Sequence, residues 1–87
     1  MDKRESMQVA IREAVSKAGG QVAMARHLQV SQSLVSNWCV GNLLVPPERC
    51  PAIERLTGIP AERLRPDVGW IRDGSGRPCR YVVELAA

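Results

Sequence analysis

Apolar residues recur every three or four positions at the start of the chain. Met7, Ala10, Ile11, Ala14, Val15 and Ala18 form one stripe, and Arg12, Glu13 and Lys17 fall on the opposite side. That period predicts an amphipathic helix over about residues 6–18, preceded by a charged, frayed start at Asp2-Lys3-Arg4-Glu5. Gly19-Gly20 ends it, one glycine taking a left-handed cap and the other freeing the chain to turn. A second helix is predicted from Gln21 to Leu28, with Met24 and Leu28 on one face and Ala25 as a small contact surface. Val30 then reads as an apolar plug in a turn, and Ser31 stands where a helix N-cap belongs. A third helix runs from Gln32. It buries Leu34 or Val35 together with Trp38, and leaves Gln32, Ser33, Ser36 and Asn37 on the other side.

The pattern weakens after Trp38. Gly41 suits a helix C-cap, and Asn42 to Val45 form a loop whose Leu43, Leu44 and Val45 are either core or an exposed patch. Pro46 and Pro47 forbid continuation, and Pro51 fits only a first turn. A fourth helix with its regular body at 50–57 follows, with Ile53 and Leu56 buried and Gly58 as its stop. Pro60 to Leu64 is a short fifth helix closed by Pro66. Beyond Asp67, Asp73-Gly74-Ser75-Gly76-Arg77-Pro78 is turn chemistry. Tyr81 to Leu85 alternates as a strand, with Trp70-Ile71-Arg72 as a hairpin partner.

Two short helices meeting at a sharp turn, the second presenting a row of uncharged hydrogen-bonders, match the needs of a major-groove reader. One side of such a helix grips its own domain, while the other donates and accepts at base edges. The spacing of Ala25, Val30, Val35 and Trp38 resembles the helix-turn-helix of phage repressor and Cro-type regulators. Further tracts resemble the YdaS-like antitoxin subgroup: Ala18-Gly19-Gly20-Gln21, Val30-Ser31-Gln32-Ser33, Val45-Pro46, Glu48 to Arg55, and Leu64-Arg65-Pro66-Asp67-Val68 with Trp70. The resemblance spans roughly residues 8–70. It implies a lambda-repressor-like domain that regulates transcription, or an antitoxin that binds a toxin protein and autoregulates its operon. Two positions depart from the pattern. Gln29 stands where the motif usually has glycine, which calls for a left-handed residue bearing a Cβ. Asn42-Leu43-Leu44 stands where subgroup members tend to carry arginines.

Composition adds bounds. Aromatics are 3% of the chain against 45% apolar residues, so the core must be aliphatic. The net charge of +3 is small, but no Asp or Glu occurs from Ala14 to Pro47, while Lys17, Arg26 and His27 do. A surface cleared of carboxylates does not repel phosphates. Cys39, Cys50 and Cys79 are odd in number and lack paired spacing, which argues for a reducing cytoplasm and against disulfides. A lone histidine without Cys-x-x-Cys offers no zinc site, and no cofactor is expected. No run approaches a membrane span. His27 has no carboxylate or nucleophile near it in sequence, so no enzymatic constellation is evident.

The reading is therefore mainly α: a five-helix helix-turn-helix domain at 1–66, and a C-terminal extension at 67–87 carrying a small β-strand or hairpin. Gln32, Ser33, Ser36 and Asn37 are expected at bases of double-stranded DNA. Gln21, Arg26 and Asn42 are expected at phosphates, although Gln21 reads equally as a capping residue and Arg26 as a plain solvated one. One recognition helix makes few contacts, so a homodimer on a palindromic operator is expected, joined through Tyr81, Val83 and Leu85.

Overall fold

Five helices and a two-stranded hairpin succeed one another in the computed structural model, which describes residues 3–72 and 74, and the backbone of 78–83. They are α1 (Lys3–Ala18), α2 (Gln21–Leu28), α3 (Gln32–Val40), a single 3-10 turn (Pro47–Arg49), α4 (Cys50–Thr57), α5 (Ala61–Leu64), β1 (Val68–Arg72) and β2 (Pro78–Val83). The first helix begins three residues before the predicted Ser6. Its opening turn carries Glu5, which suits the positive end of the helix, and Arg4 is held by a hydrogen bond to the Gly41 carbonyl. The frayed start predicted for Lys3 to Glu5 is thus absent.

The helix ends follow the punctuation. At Gly19 (φ 100) the N–H donates to Ser16, and the next N–H, of Gly20, reaches back to Val15, which closes α1. Pro47 opens the 3-10 turn and Pro51 sits in the first turn of α4, where a missing N–H costs nothing. Gly58 (φ 79) stops α4. Glu54 of α4 then accepts from the Ala61 N–H at 2.8 Å, capping α5 from the preceding helix.

The core is aliphatic around one indole. Ile11, Ala14, Met24, Val35, Trp38, Cys50, Ile53, Ile59 and Leu64 are buried, and Leu34, Val30 and Trp70 pack against them partly exposed. The choice left open between Leu34 and Val35 falls to Val35. Leu56 departs from expectation and is only half-buried. It lies beside His27, Leu28, Ala52 and Arg55 in an open groove, and Ile59 fills the core instead.

β1 and β2 pair antiparallel, Val68 with Val83 and Trp70 with Tyr81, with a bulge between Ile71 and Arg72. A hairpin is as expected, and Trp70 does face Tyr81, but β2 begins at Pro78, inside the expected turn. Ile71 and Arg72 therefore pair with Arg80 and Pro78, while Val82 and Val83 face Gly69 and Val68. Polar contacts fasten β1 to the helices. Arg65 grips Asp67 through two bonds (2.8 and 2.6 Å) and donates to the Val45 carbonyl at 3.0 Å. The Trp70 indole N–H donates to the Arg65 carbonyl at 3.0 Å. Arg72 bridges Glu54 and Glu62. Arg65 holds the Asp67 carboxyl below its ordinary range, and Arg72 does the same for Glu54 and Glu62. The tract Leu64 to Trp70 is thereby a latch between helices and hairpin. Of the residues expected to join two chains, Tyr81 and Val83 are described in their backbone alone, and Leu85 lies outside the described residues.

Candidate nucleic-acid interface

The turn between α2 and α3 is built by its end bonds. The Gln29 N–H donates to the Arg26 carbonyl at 3.3 Å and the Val30 N–H to the Ala25 carbonyl at 3.0 Å, with Gln29 at φ 58 and ψ 44. This is a Schellman closure with glutamine in the left-handed place that glycine usually takes. Val30 packs partly buried against the core, as a plug would. Arg49 adds a bond of 3.3 Å to the Leu28 carbonyl, satisfying another orphan at the same helix end. On the far side of the turn, the Ser31 hydroxyl accepts from the Leu34 N–H at 3.1 Å and starts α3.

That construction fixes which way α3 faces. Val35, Trp38 and Cys39 are buried against the domain. Gln32 and Ser33 are exposed, and Ser36 and Asn37 are half-buried on the same helix. Asn42 is exposed just past the Gly41 cap, and its amide donates to the Asn37 side-chain oxygen at 3.2 Å. Gln21, at the start of α2, is half-buried near the Cys39 thiol of α3 and remains a candidate phosphate contact. Arg26 and His27 are exposed on the last turn of α2. The structure thus gathers Gln21, Gln32, Ser33, Ser36, Asn37 and Asn42 on or beside α3, while Arg26 stands at the other end of α2.

The loop after α3 resolves as a split. Leu43 and Leu44 are exposed and Val45 is buried. Val40, the last residue of α3, is 53% exposed and extends the apolar surface. Reading the sequence missed two arginines. Arg12, placed facing water, donates from Nε to the Cys39 carbonyl at 2.8 Å, and Arg4 donates to the Gly41 carbonyl at 3.2 Å. The available signal was α3 itself, which ends with no basic residue of its own in its last turn.

No grouping of His, Cys, Asp and Glu among the described residues could hold a metal ion. Burial raises both the Cys39 and Cys50 thiols, the latter to about 12, which suits core residues better than nucleophiles. No helix among the described residues is long and apolar enough to cross a membrane.

A family model described as "Bacterial toxin YdaS" matches residues 11–73. A curated protein of Escherichia coli (strain K12), named "Putative transcriptional regulator YdaS", is 48% identical over 63 residues, which are 70% of this chain. The chain spans 64% of that relative's length, short of two thirds. Among solved structures, the Cro protein from prophage element Xfaso 1 in Xylella fastidiosa strain Ann-1 superposes with a TM-score of 0.62 at 45% identity. That likeness covers 67% of this chain and 91% of the other, so helical core and turn are shared with a Cro-like regulator.

Proposed function

This chain belongs to the bacterial YdaS family and has a Cro-like fold, and from that premise we propose that it is a sequence-specific DNA-binding repressor acting in the cytoplasm. The observation that carries the reading is the two-sidedness of α3. Its buried Val35, Trp38 and Cys39 lock it to the domain, and Gln32, Ser33, Ser36 and Asn37 present short donors and acceptors on the opposite side. The helix enters the major groove of double-stranded DNA. Gln21, Arg26 and Asn42 approach phosphates, and the segment from Ala14 to Pro47 brings no carboxylate to repel them.

The helical part, 1–66, reads DNA, and the extension, 67–87, joins two chains. In the hairpin each strand has one partner, and a second copy of β2 across a two-fold axis would pair its remaining edge. Tyr81, Val83 and Leu85 are the residues of that junction. A dimer so built reads half-sites ~34 Å apart.

The test is binding to DNA upstream of its own gene, followed through a salt series. Affinity for one duplex should exceed that for random duplex and fall linearly with salt on logarithmic axes. Equal binding to all duplexes, or none, refutes the reading.

One observation favours a second reading, an antitoxin that also binds a toxin protein. Val40, Leu43 and Leu44 form an exposed apolar surface beside α3, where phosphate-contacting cations would otherwise serve DNA. Co-purification with the product of an adjacent gene, lost on Leu43→Asp, would support it.

A further inference from the structure

Arg4, Gln8 and Arg12 stand at i, i+4 and i+8 on α1 and so form one ridge along that helix. All three meet the C-terminal end of α3. Arg12 Nε donates to the Cys39 carbonyl at 2.8 Å, and Arg4 donates to the Gly41 carbonyl at 3.2 Å. The Gln8 amide occupies the place where a Cβ on residue 41 would project, so it packs directly on the left-handed Gly41 (φ 85). A nine-residue helix leaves its last carbonyls unpaired, and α3 has no cation of its own to offset the negative end of its dipole. Both needs are met from another helix.

We propose that this ridge is the seat of α3, with Arg12 as its principal positioning residue, and that base discrimination depends on Arg12 although it touches no base. The inference deepens the DNA-reading function proposed above and rests on it. Its logic is geometric. Ser31 fixes the first turn of α3 and the core fixes its buried side. The last turn ends in exposed Val40, and its Asn37 is bonded by Asn42 and Leu43 of the following loop. The ridge restrains its tilt from the other helix by holding the Cys39 and Gly41 carbonyls. A loosened last turn would displace Ser36 and Asn37 from base edges while leaving the charges that meet phosphate unaltered.

The experiment uses the full chain and its Arg12→Met and Arg12→Lys variants. A duplex selected by the wild type from a random library and a random duplex are titrated through a salt series. Amide hydrogen exchange of Trp38 to Gly41 is followed by NMR. Arg12→Met should keep its fold by circular dichroism and exchange faster at those four amides. It should bind the selected duplex roughly tenfold more weakly, the scale of one misaligned base contact, with random-duplex affinity and salt slope unchanged. Arg12→Lys, which retains the charge and an ammonium group able to donate, should recover part of both effects. Equal loss on both duplexes with the salt slope reduced by about one would make Arg12 a phosphate contact and overturn the proposal. Undiminished preference for the selected duplex would overturn it too. A wild type that selects no duplex would instead refute the DNA reading. The seat would then stand or fall on hydrogen exchange alone, and unchanged protection in Arg12→Met would reject it.

Discussion

The side-chain amide of Asn42 donates to the side-chain oxygen of Asn37 at 3.2 Å, bridging the Gly41 turn at the end of α3. One lone pair of that oxygen is taken, and Asn37 keeps a second acceptor site and both amide hydrogens. Gln32, exposed on the first turn, carries both a donor and an acceptor outward.

Replacement of Gln32 tests base reading directly. Gln32→Ala should weaken binding to the selected duplex by ~1–3 kcal/mol and spare affinity for random DNA. Fluorescence anisotropy on the two duplexes measures both, and an equal loss on each would rule out a base contact.

Trp38 fills the space between α1 and the helix-turn-helix at 2% exposure. Its indole N–H is buried with no hydrogen-bond partner among the described residues. Trp38→Ala should cost ~3–5 kcal/mol and unfold much of a domain this small. Trp38→Phe removes the unpaired donor together with part of the ring, so its loss should be clearly smaller. Urea melts order the two variants, and equal losses would mean that a phenyl ring fills the space no better than a methyl group.

Gln29 holds a left-handed conformation at φ 58. Such a residue costs roughly 1–2 kcal/mol when it bears a Cβ. Gln29→Gly removes that cost but adds ~0.4–1 kcal/mol of unfolded-state entropy. The net expectation is a gain of about 0.5 kcal/mol, read as a higher melting temperature. A lower one would mean that the Gln29 side chain makes a contact stronger than its strain.

Acid should loosen the latch. Glu54, Glu62 and Asp67 have carboxyls held below their ordinary ranges by Arg72 and Arg65. A depressed folded-state value stabilises fully above the unfolded-state value, and that stabilisation is lost as pH falls and the unfolded chain takes up protons first. Melting temperature should therefore decline below the ordinary glutamate value of 4.5. Arg72→Gln should flatten that decline, because it frees Glu54 and Glu62 together. An acid limb unaltered in this variant would assign the loss to other groups. Glu62 is half exposed, so Glu54 and Asp67 should carry most of the effect.

Much of this architecture was legible because it rests on local chemistry. The Met7 to Ala18 stripe, the Ser31 cap, the Gly41 and Gly58 stops and the position of Pro51 each act within a turn or two, and each lies where its residue type requires. The left-handed Gln29 was legible too, as a departure from glycine. What stayed hidden depends on distant partners. Arg4 and Arg12 looked solvated because their acceptors lie 37 and 27 residues away. Leu56 followed the helical period, yet Ile59, beyond the end of its helix, took the core place. Leu43 and Leu44 could not be separated from Val45 by pattern, because a loop has no period.

The proposed dimer has a direct test. A chain ending at Arg72 lacks β2, so by sedimentation at micromolar concentration it should be monomeric while circular dichroism shows its helices retained. A truncated chain that remains dimeric would place the junction elsewhere.

The Arg65 fork has a mechanical consequence. Its guanidinium binds Asp67 at the foot of β1 and the Val45 carbonyl at the end of the loop leaving α3, while its own carbonyl holds the Trp70 indole. The hairpin and the loop that leaves α3 are thus tied together through one side chain. In a dimer joined through its hairpins, two such ties would act as a ruler, and an operator with one base pair inserted between its half-sites would have to twist or bend to be read.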